Sequence, residues 1–390
     1  MESISISSFP KERIYVFLDK GYREYLLQKS IKVLNCKNYF ELACWINKKS
    51  KTKFNGGDVK YWIKGSKFDK RDKRIYPKLM PLWLILKLVK LNHEKIENLH
   101  KHILSYRSGS SGLLINRPEL PIKVTPELES VVIHIFGDGA AGDFTPSYTQ
   151  KNRDSLDNFI KKLTNCFGSF EKSIYFTQGK HQVKFPKAIT DILTNYYSIK
   201  SYGSHKAEIP VKILQRKNKL YKLACLIAFI VDEGGVRDVI TLYSSNNTLL
   251  SQIRNLVLAC NYSCSEVQTN VKTNYNYFSI SNKYIGKLYR DAQKLSQKYP
   301  TCNFSFKEDQ IKFIIQRRLN KNSKQSGATN KILFDILKKE NLTARQISEL
   351  TGYAYCTIIH NLEKLYKTKK VRRKMIKNKT YLWELSEFKR

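Results

Sequence analysis

The sequence lacks several features that define common classes of protein. Its longest uncharged apolar run, residues 223–231, lies between Lys222 and Asp232 and is far shorter than the roughly 20 residues that span a bilayer. The start of the chain has no basic stretch followed by an apolar one, as a secretory signal requires. The eight cysteines include no Cys-x2-Cys pair, and the close pair Cys260 and Cys264 has no further soft ligands nearby for zinc. These absences predict a cytoplasmic protein without a membrane span, a zinc site or disulfides.

Acidic residues are also scarce. The chain has 33 Asp and Glu against 70 Lys and Arg, which gives a formal net charge of +37 over 390 residues. So large a charge repels itself within a compact chain, and a polyanionic partner would relieve that repulsion. With 42% apolar residues the chain can still bury a core, so it is not disordered. The composition predicts a folded, polyanion-binding protein of about two to three domains.

Three segments of the chain differ in pattern. Residues 1–112 are dominated by helical runs, and a Ser- and Gly-rich stretch at 108–112, followed by prolines, indicates a linker. Residues 123–312 mix helical runs with alternating, β-branched and aromatic stretches, which predicts an α+β block. A basic stretch without periodicity at 313–330 predicts a flexible joint before a third domain at 331–390.

The α+β block contains an internal repeat. An apolar helix ending in an acid and a glycine occurs twice, with Asp138 and Glu233 standing 95 residues apart. A tyrosine follows each acid after ten residues, at Tyr148 and Tyr243. Helical segments (154–166 and 248–260) and paired strands (about 170–185 and 263–281) then follow in both cases. The spacing predicts two copies of one unit, at about 123–205 and 215–312.

The position of the two acids indicates a metal site. We expect the following glycine to take the left-handed C-cap conformation, which leaves each carboxylate at the negative end of a helix dipole. Two such acids brought together need a proton or a hard divalent cation, of which Mg²⁺ is the natural choice. Close packing of the helices would be helped by the small residues Ser130, Gly137, Ala224, Cys225 and Ala228. One copy alone would be explained by a core helix with a glycine stop, but the repeat favours the metal site.

The duplicated helix–acid–glycine units resemble the single-chain LAGLIDADG homing endonucleases over about 190 residues. The resemblance implies a pseudo-twofold α+β fold in which two four-stranded antiparallel sheets form a saddle over DNA. It also implies that Asp138 and Glu233 are catalytic acids that bind two or three Mg²⁺ ions, with Mn²⁺ as a substitute and the backbone of Gly137 and Asp232 as further ligands. The reaction implied is hydrolysis of one phosphodiester on each DNA strand. His134 and Phe136 are bulkier than the residues the family usually has between its helices.

The same resemblance implies basic or polar side chains beside the acids, contributed by each sheet. The candidates are Gln150, Lys180, His181 and Lys184 in the first copy, and Ser245, Gln268 and Lys272 in the second. Each could instead be a solvated residue on the exposed face of a half-buried sheet. A sheet face with aromatic and basic side chains can lie in the major groove.

Residues 331–390 resemble a winged helix-turn-helix domain. Helices are predicted at 332–339, 343–350 and 355–366, with a capping box formed by Thr343 and Gln346, before a basic hairpin and a returning strand at 380–383. The predicted core stripe is Leu333, Ile336, Leu337, Ile347, Leu350, Ile358, Ile359, Leu362 and Leu365. Residues 364–379 contain nine Lys or Arg and no acid. The candidate DNA contacts are Tyr355, Thr357, His360, Asn361, Lys364, Arg372, Arg373, Lys374, Lys377 and Lys379.

The first 112 residues give a weaker signal. Two helices at 39–46 and 55–65 around a turn, with a buried third at 82–89, look like a repressor-type helix-turn-helix. Lys60, Lys64 and the basic stretch 67–73 would then meet a phosphate backbone. A small helical packing domain without DNA contact is the alternative.

These features together predict a monomeric, metal-dependent endodeoxyribonuclease that binds a long double-stranded DNA site and cuts both strands. One alternative is a transcription regulator that binds DNA through the same core without cleaving it. Another is an intron RNA maturase, because composition does not separate RNA phosphate from DNA phosphate. The acids kept in both copies favour the nuclease.

Overall fold

The computed structural model describes residues 2–48, 53–69, 74–109, 112–142, 145–270, 275–319, 328–377 and 380–386. The chain is an α+β protein of helices and several small antiparallel sheets. One hydrophobic core extends from Ile4 to Ile314, and a second, separate core extends from Leu333 to Trp383. None of the helices in these ranges combines the length and apolar character needed to cross a membrane.

The amino-terminal region contains the three helices that the sequence predicts. Asn55 and Asp58 form a capping box at the start of the second of them, and Gly65 ends it with a left-handed φ of 76°. The helices of this region are α1 (Lys20–Val33), α2 (Tyr39–Lys48), α3 (Gly56–Lys64), α4 (Leu82–Leu91) and α5 (Ile96–Lys101). Its strands are β1 (Ser3–Ile4), β2 (Ile14–Leu18), β3 (Ser66–Asp69), β4 (Arg74–Pro77), β5 (Met80–Pro81), β6 (Ile103–Ser108), β7 (Ile115–Asn116) and β8 (Ile122–Lys123).

Two units follow whose elements have the same order, except that β11 of the first unit has no counterpart in the second. The first unit consists of α6 (Pro126–Gly137), β9 (Gly139–Ala140), β10 (Ser147–Gln150), α7 (Arg153–Phe167), β11 (Ser169–Phe170), β12 (Ser173–Thr177), β13 (Lys180–Lys184) and α8 (Lys187–Tyr197). After the short α9 (Val211–Leu214), the second unit consists of α10 (Lys219–Glu233), β14 (Gly234–Val236), β15 (Ile240–Ser244), α11 (Asn247–Ala259), β16 (Gln268–Asn270), β17 (Tyr275–Ile280) and α12 (Asn282–Lys298). The sheets run β9-β10-β13-β12 and β14-β15-β17-β16, so corresponding strands occupy corresponding places.

The amino-terminal region also contains strands that the prediction of a helical domain did not include. Four of its strands belong to a five-stranded sheet of order β11-β7-β6-β2-β5, and the fifth strand, β11, comes from the first unit. The predicted linker also contains β7 and β8, which pair with β11 and β1. The short, Pro-interrupted strands of this segment gave too few alternating residues for the sequence pattern to show them.

The glycines that follow the two acids are needed because the chain passes close to its own helix there, and not because they adopt a left-handed conformation. Gly234 has a φ of −84°, and Gly139 begins a strand. A Cβ added at Gly139 would lie 2.5 Å from Ile135 Cα, and one at Gly234 would lie 2.5 Å from the Ile230 carbonyl oxygen. The expectation of a left-handed C-cap is therefore wrong, and glycine is required because the chain turns back against its own helix.

Tyr148 and Tyr243 are not equivalent, although each lies ten residues after its acid. Tyr148 pairs with Gly139 in the first sheet, whereas Gly234 pairs with Leu242 in the second. The connection in the second unit is therefore one residue shorter, and a shift of one residue turns a strand side chain to the opposite face. Accordingly Tyr148 is fully buried, and Tyr243 is 41% exposed.

The carboxyl-terminal segment begins after α13 (Glu308–Leu319). It has helices α14 (Ala328–Leu337), α15 (Ala344–Thr351) and α16 (Tyr355–Lys367), and strands β18 (Leu342–Thr343), β19 (Val371–Lys377) and β20 (Thr380–Leu385) in the order β18-β20-β19. The predicted capping box of Thr343 and Gln346 is present, and Gly352 ends α15 in the left-handed conformation. Leu350 departs from the predicted core stripe, because its side chain is 63% exposed at the end of α15.

Candidate active site

The site lies where α6 and α10 end side by side. These two helices form the most closely packed helix pair of the described chain, and the small residues Ser130, Ala224, Cys225 and Ala228 are all buried along them. Asp138 caps α6, and Glu233 is the last residue of α10. The helix pair therefore brings the two predicted acids to one end of the two units.

Asp138 is held by a side chain of the adjacent sheet. The Gln150 amide nitrogen lies 2.6 Å from Asp138 Oδ2 and 3.0 Å from Asp232 Oδ1. Gln150 is buried in β10, and the same nitrogen is also 3.0 Å from the Tyr148 hydroxyl. Gln150 thus joins an acid of one helix to an acid of the other, as the sequence suggested for a residue beside the acids.

Asp232 is a third acid, and its side chain is fully buried. The Tyr148 hydroxyl donates to Asp232 Oδ1 at 2.6 Å, and His134 Nδ1 lies 2.9 Å from Asp232 Oδ2. Lys162 Nζ is 2.9 Å from His134 Nε2. Since an ammonium can only donate, His134 accepts at Nε2 and donates from Nδ1, so a neutral imidazole links a buried ammonium to a buried carboxylate. The sequence predicted only a backbone role for Asp232, because no sequence signal places its carboxylate opposite His134 of the other helix.

Burial governs the ionisation of the three acids. It raises the pKa of Asp138 to about 7, with the charge of Asp232 adding to the effect. It likewise raises the pKa of Glu233 to about 7, helped by the charges of Asp138 and Asp232. Burial raises the pKa of Asp232 to about 8 against the lowering effect of the Tyr148 hydrogen bond. Acids of separate helices thus influence one another, which places them in one electrostatic cluster.

A lysine that the sequence interpretation overlooked completes this cluster. Lys307 is 6% exposed, and its ammonium donates to the carbonyl oxygens of Ile230 at 2.7 Å and Gly234 at 2.5 Å. Its charge lowers the pKa of Asp138, Asp232 and Glu233. Lys307 lies in a short turn after α12, beyond the elements that the two units share, so neither the repeat nor a motif pointed to it.

Asp138 and Glu233 are the side chains of this cluster that could hold a divalent cation. Within the described ranges, no group of three or more His, Cys, Asp or Glu side chains is arranged to hold a metal ion. Mg²⁺ commonly binds proteins through one or two carboxylates and keeps several waters. Asp138 and Glu233 would supply those carboxylates. Gly137 and Asp232 precede them in the last helical turn, where carbonyl groups lack intrahelical partners.

Of the remaining sheet candidates, Lys180 acts on the acids through its charge, and the others that the structure describes contact other residues. Lys180 is exposed, yet its charge lowers the pKa of both Asp138 and Glu233. Lys184 covers the Tyr175 ring, and His181 packs on Phe176. Gln268 accepts from the Tyr277 hydroxyl, and the Ser245 hydroxyl contacts His205. Lys272 lies outside the described residues.

The register places Ser244, one residue before the candidate Ser245, at the position equivalent to Gln150. Gln150 stands two residues after Tyr148, and the residue two after Leu242, the counterpart of Tyr148, is Ser244. The Ser244 hydroxyl accepts from the backbone N–H of Asn246. The side chains around the acids are therefore supplied unequally by the two sheets.

In the carboxyl-terminal segment, the predicted contacts of α16 are accessible to different degrees. Tyr355, His360 and Lys364 are exposed, whereas Thr357 and Asn361 are half-buried. Arg372 and Lys374 are exposed on β19, and Arg372 lies 3.6 Å from Glu384. Arg373 is half-buried, because it pairs with Glu363 and its guanidinium lies over the rings of Tyr366, Tyr381 and Trp383. Of the other two candidates, Lys377 ends β19 and Lys379 lies outside the described residues.

The amino-terminal candidates lie on α3 and beyond it. Lys60 and Lys64 are exposed on α3. The basic stretch 67–73 falls partly in β3, and residues 70–73 lie outside the described ranges. Phe40, 65% exposed at the start of α2, adds an apolar side chain to the same helix pair.

Comparison with known proteins gives weak likenesses. No family model and no curated protein matches the chain. Among solved structures, the homing endonuclease I-DmoI in complex with DNA and Mn is 12% identical with a TM-score of 0.32, over 42% of this chain and 94% of that one. The homing endonuclease I-WcaI bound to its DNA recognition sequence is 17% identical with a TM-score of 0.32, over 42% and 79%. Full-length DUF199/WhiA from Thermatoga maritima is 12% identical with a TM-score of 0.32, over 64% and 93%. Likenesses this low assign neither a family nor a function.

Proposed function

We propose that the chain is a metal-dependent endonuclease of the LAGLIDADG type that binds a long double-stranded DNA site and cuts both strands. The observation that carries this proposal is the convergence of Asp138 and Glu233, each at the end of one of two paired helices from units of equal topology. Acids placed this way are unfavourable for folding, because like charges meet at the negative ends of two helix dipoles. A reaction that needs a divalent cation would explain why the two acids are placed together.

The division of labour within the site follows from the contacts. A bound Mg²⁺ ion would activate a water and stabilise the leaving oxygen of a phosphodiester. Asp138 and Glu233 would hold that ion, Gln150 fixes the Asp138 carboxylate, and the buried pair of His134 and Asp232 fixes the two helices against each other. The solvent-accessible Lys180 would meet the substrate phosphate beside the acids.

The flanking segments would extend the contact with DNA. We assign residues 331–390 to a winged helix-turn-helix domain, because three helices and a three-stranded sheet pack around their own hydrophobic core. Its exposed residues Tyr355, His360 and Lys364 would face bases, and Arg372 and Lys374 would contact phosphates. We assign α2 and α3 to a second helix-turn-helix with Lys60 and Lys64 towards the backbone. The units at about 123–205 and 215–312 form the nuclease core, and residues 313–330, of which 313–319 belong to α13 and not to a flexible joint, join it to the tail.

The direct test is cleavage of DNA that spans the insertion site of the chain's own gene, in the presence of Mg²⁺. We expect a double-strand break with wild-type protein. Asp138→Asn and Glu233→Gln should each abolish cleavage and leave DNA binding in place, because each removes a metal-binding charge without removing the binding surface.

Asp309→Asn is the matched control, because this carboxylate is 94% exposed and lies outside the cluster. It should cleave like the wild type. Full cleavage by either Asp138→Asn or Glu233→Gln would overturn the assignment of the acids, and binding without any cleavage by the wild type would favour a regulator.

One feature of the second sheet favours RNA as a second candidate substrate. Tyr243 and Tyr275 are 41% and 51% exposed, and Tyr277 lies opposite Tyr243 in the register. Aromatic side chains on an open sheet can stack on unpaired bases, which single-stranded loops of structured RNA offer. Competition between the DNA site and an intron RNA of the same gene would separate the two candidates, since a maturase should prefer the RNA.

A further inference from the structure

The end of α10 carries more negative charge than the end of α6. Asp232 and Glu233 are adjacent there, and Asp138 faces them from the other helix. The negative end of the α10 dipole adds to this charge. Such a cluster needs protons or a compensating cation even before any substrate or metal arrives.

Lys307 supplies a cation to this cluster, and two hydrogen bonds hold its ammonium in place. Its ammonium bridges the Ile230 and Gly234 carbonyls, three residues before and one residue after Glu233. In α6 the corresponding carbonyls belong to Ile135 and Gly139, and within the described ranges no lysine side chain donates to them. A lysine bound to the carbonyl groups at the helix end is therefore found beside α10 and not beside α6 in the described ranges.

The turn that carries Lys307 is anchored on the first unit. The Ser305 hydroxyl lies 2.8 Å from the Ser155 hydroxyl, and Asn158 donates to the Thr301 carbonyl at 2.9 Å. A buried lysine held at both ends in this way cannot swing out to reach substrate. Burial lowers the pKa of Lys307 to about 8, so the ammonium still carries its charge at neutral pH.

We propose that Lys307 is a built-in cation of the acid cluster, a positioning residue that offsets part of its charge and thereby competes electrostatically with a bound divalent ion. This inference rests on the proposed function, because it takes Asp138 and Glu233 as the residues that bind the ion. Its consequence is a site that keeps its shape without metal and binds the metal more weakly than three acids alone would.

The test measures Mn²⁺ binding by the full chain without DNA, using calorimetry, for wild type, Lys307→Gln and Lys307→Arg. Lys307→Gln keeps an N–H donor for the two carbonyls and removes the charge. We expect Lys307→Gln to bind Mn²⁺ at least about tenfold more tightly, because the repulsion between ammonium and divalent ion is lost in a partly buried site. Lys307→Arg should bind like the wild type.

A second measurement separates this role from a purely structural one. Without metal, Lys307→Gln should have a lower melting temperature than the wild type, and added Mn²⁺ should raise it by more than it raises the wild type's. Lys312→Gln is the control, because this lysine is 51% exposed and pairs on the surface with Glu308. It should leave both the Mn²⁺ affinity and the melting temperature unchanged.

The outcomes distinguish this inference from the proposed function. Unchanged or weaker Mn²⁺ binding by Lys307→Gln, with normal binding by the wild type, overturns the role of Lys307 alone. Wild-type protein that binds no Mn²⁺, or binds it equally after Asp138→Asn with Glu233→Gln, overturns the metal site and this inference with it. If Lys307→Gln fails to fold and Mn²⁺ does not restore it, the lysine is structural and the inference is wrong.

Discussion

The two units share their topology but present different surfaces to a ligand. Tyr148 and Leu242 occupy equivalent positions, because each pairs with the glycine that follows the acid of its own unit. From this equivalence, Lys180, Gln182 and Thr149 of the first sheet correspond in turn to Tyr275, Tyr277 and Tyr243 of the second. At one of these positions the first sheet thus has the cation of Lys180 where the second has the ring of Tyr275. If the chain binds nucleic acid as proposed, we expect Lys180 to contact phosphate and Tyr275 to stack on a base.

The residues at equivalent positions of α6 and α10 also differ. Four residues before each acid stand His134 in α6 and Phe229 in α10, and immediately before each acid stand Gly137 and Asp232. The polar pair of His134 and Asp232 forms contacts across the helices. The two helices are therefore joined by a polar contact that is not symmetric, since His134 comes from α6 and Asp232 from α10. This connection fixes the position of one unit relative to the other.

The largest expected effect comes from removing one member of that connection. Asp232→Ala should lower the free energy of unfolding by about 3–5 kcal/mol, because it leaves the Lys162 ammonium and the His134 ring without their buried partner. Combining it with His134→Phe and Lys162→Met removes the ring and the ammonium that Asp232→Ala leaves unpaired, and should recover part of the loss. The recovery is partial because the Tyr148 hydroxyl and the Gln150 amide still lack that acceptor. Chemical denaturation of the single and triple variants measures both. A triple variant as unstable as Asp232→Ala would show that the connection is not what fixes the helices.

A smaller effect is expected at Gly137, which faces Asp232. A Cβ at Gly137 would lie 2.9 Å from both the Cβ and Oδ2 of Asp232, so Gly137→Ala should cost about 1–3 kcal/mol of unfolding free energy through overpacking. The control is Gly21→Ala in α1, where the nearest atom to an added Cβ is 3.7 Å away. Denaturation of both variants decides the matter, and equal stability would mean that the helices can shift apart.

The smallest effects should separate the two sheet faces. Exchanging Lys180 and Lys184 for Gln should make the salt dependence of nucleic-acid binding shallower, by about one unit of logarithmic slope for each phosphate that is no longer neutralised. Exchanging Tyr243 and Tyr277 for Leu should leave that slope unchanged. It should weaken binding to a duplex with an unpaired loop, by about 1–3 kcal/mol per base that stacks. Titrations over a range of salt concentrations measure both, and identical behaviour of the two pairs would erase the distinction between the sheets.

Much of the local structure could be predicted from the sequence, because it depends on short-range signals. The helices of both units, the capping box at Thr343 and the acids at the helix ends follow from apolar periodicity and cap residues. The amino-terminal sheet could not be predicted, because its strands are short and pair across long stretches of chain.

The site was predictable only where a repeat marked it. Asp138, Glu233 and Gln150 stood in repeated or adjacent positions, whereas Lys162 and Lys307 approach from other elements and carry no signal of their own. The mismatch of Tyr148 and Tyr243 has a single cause, one residue of difference in a connection. Successive side chains of a strand point to opposite faces of the sheet, so a difference of one residue in a connection moves the tyrosine to the other face.

Strand β11 also bears on the order in which the chain can fold during synthesis. The sheet it completes is otherwise built from residues 14–116, yet β11 itself is Ser169–Phe170. Until the ribosome has released α7 and β11, the strand β7 has an open edge, which is where unwanted pairing between nascent chains begins. Folding of the amino-terminal region must therefore wait for much of the first unit, and a fragment cut between them would leave both halves with an unfinished edge.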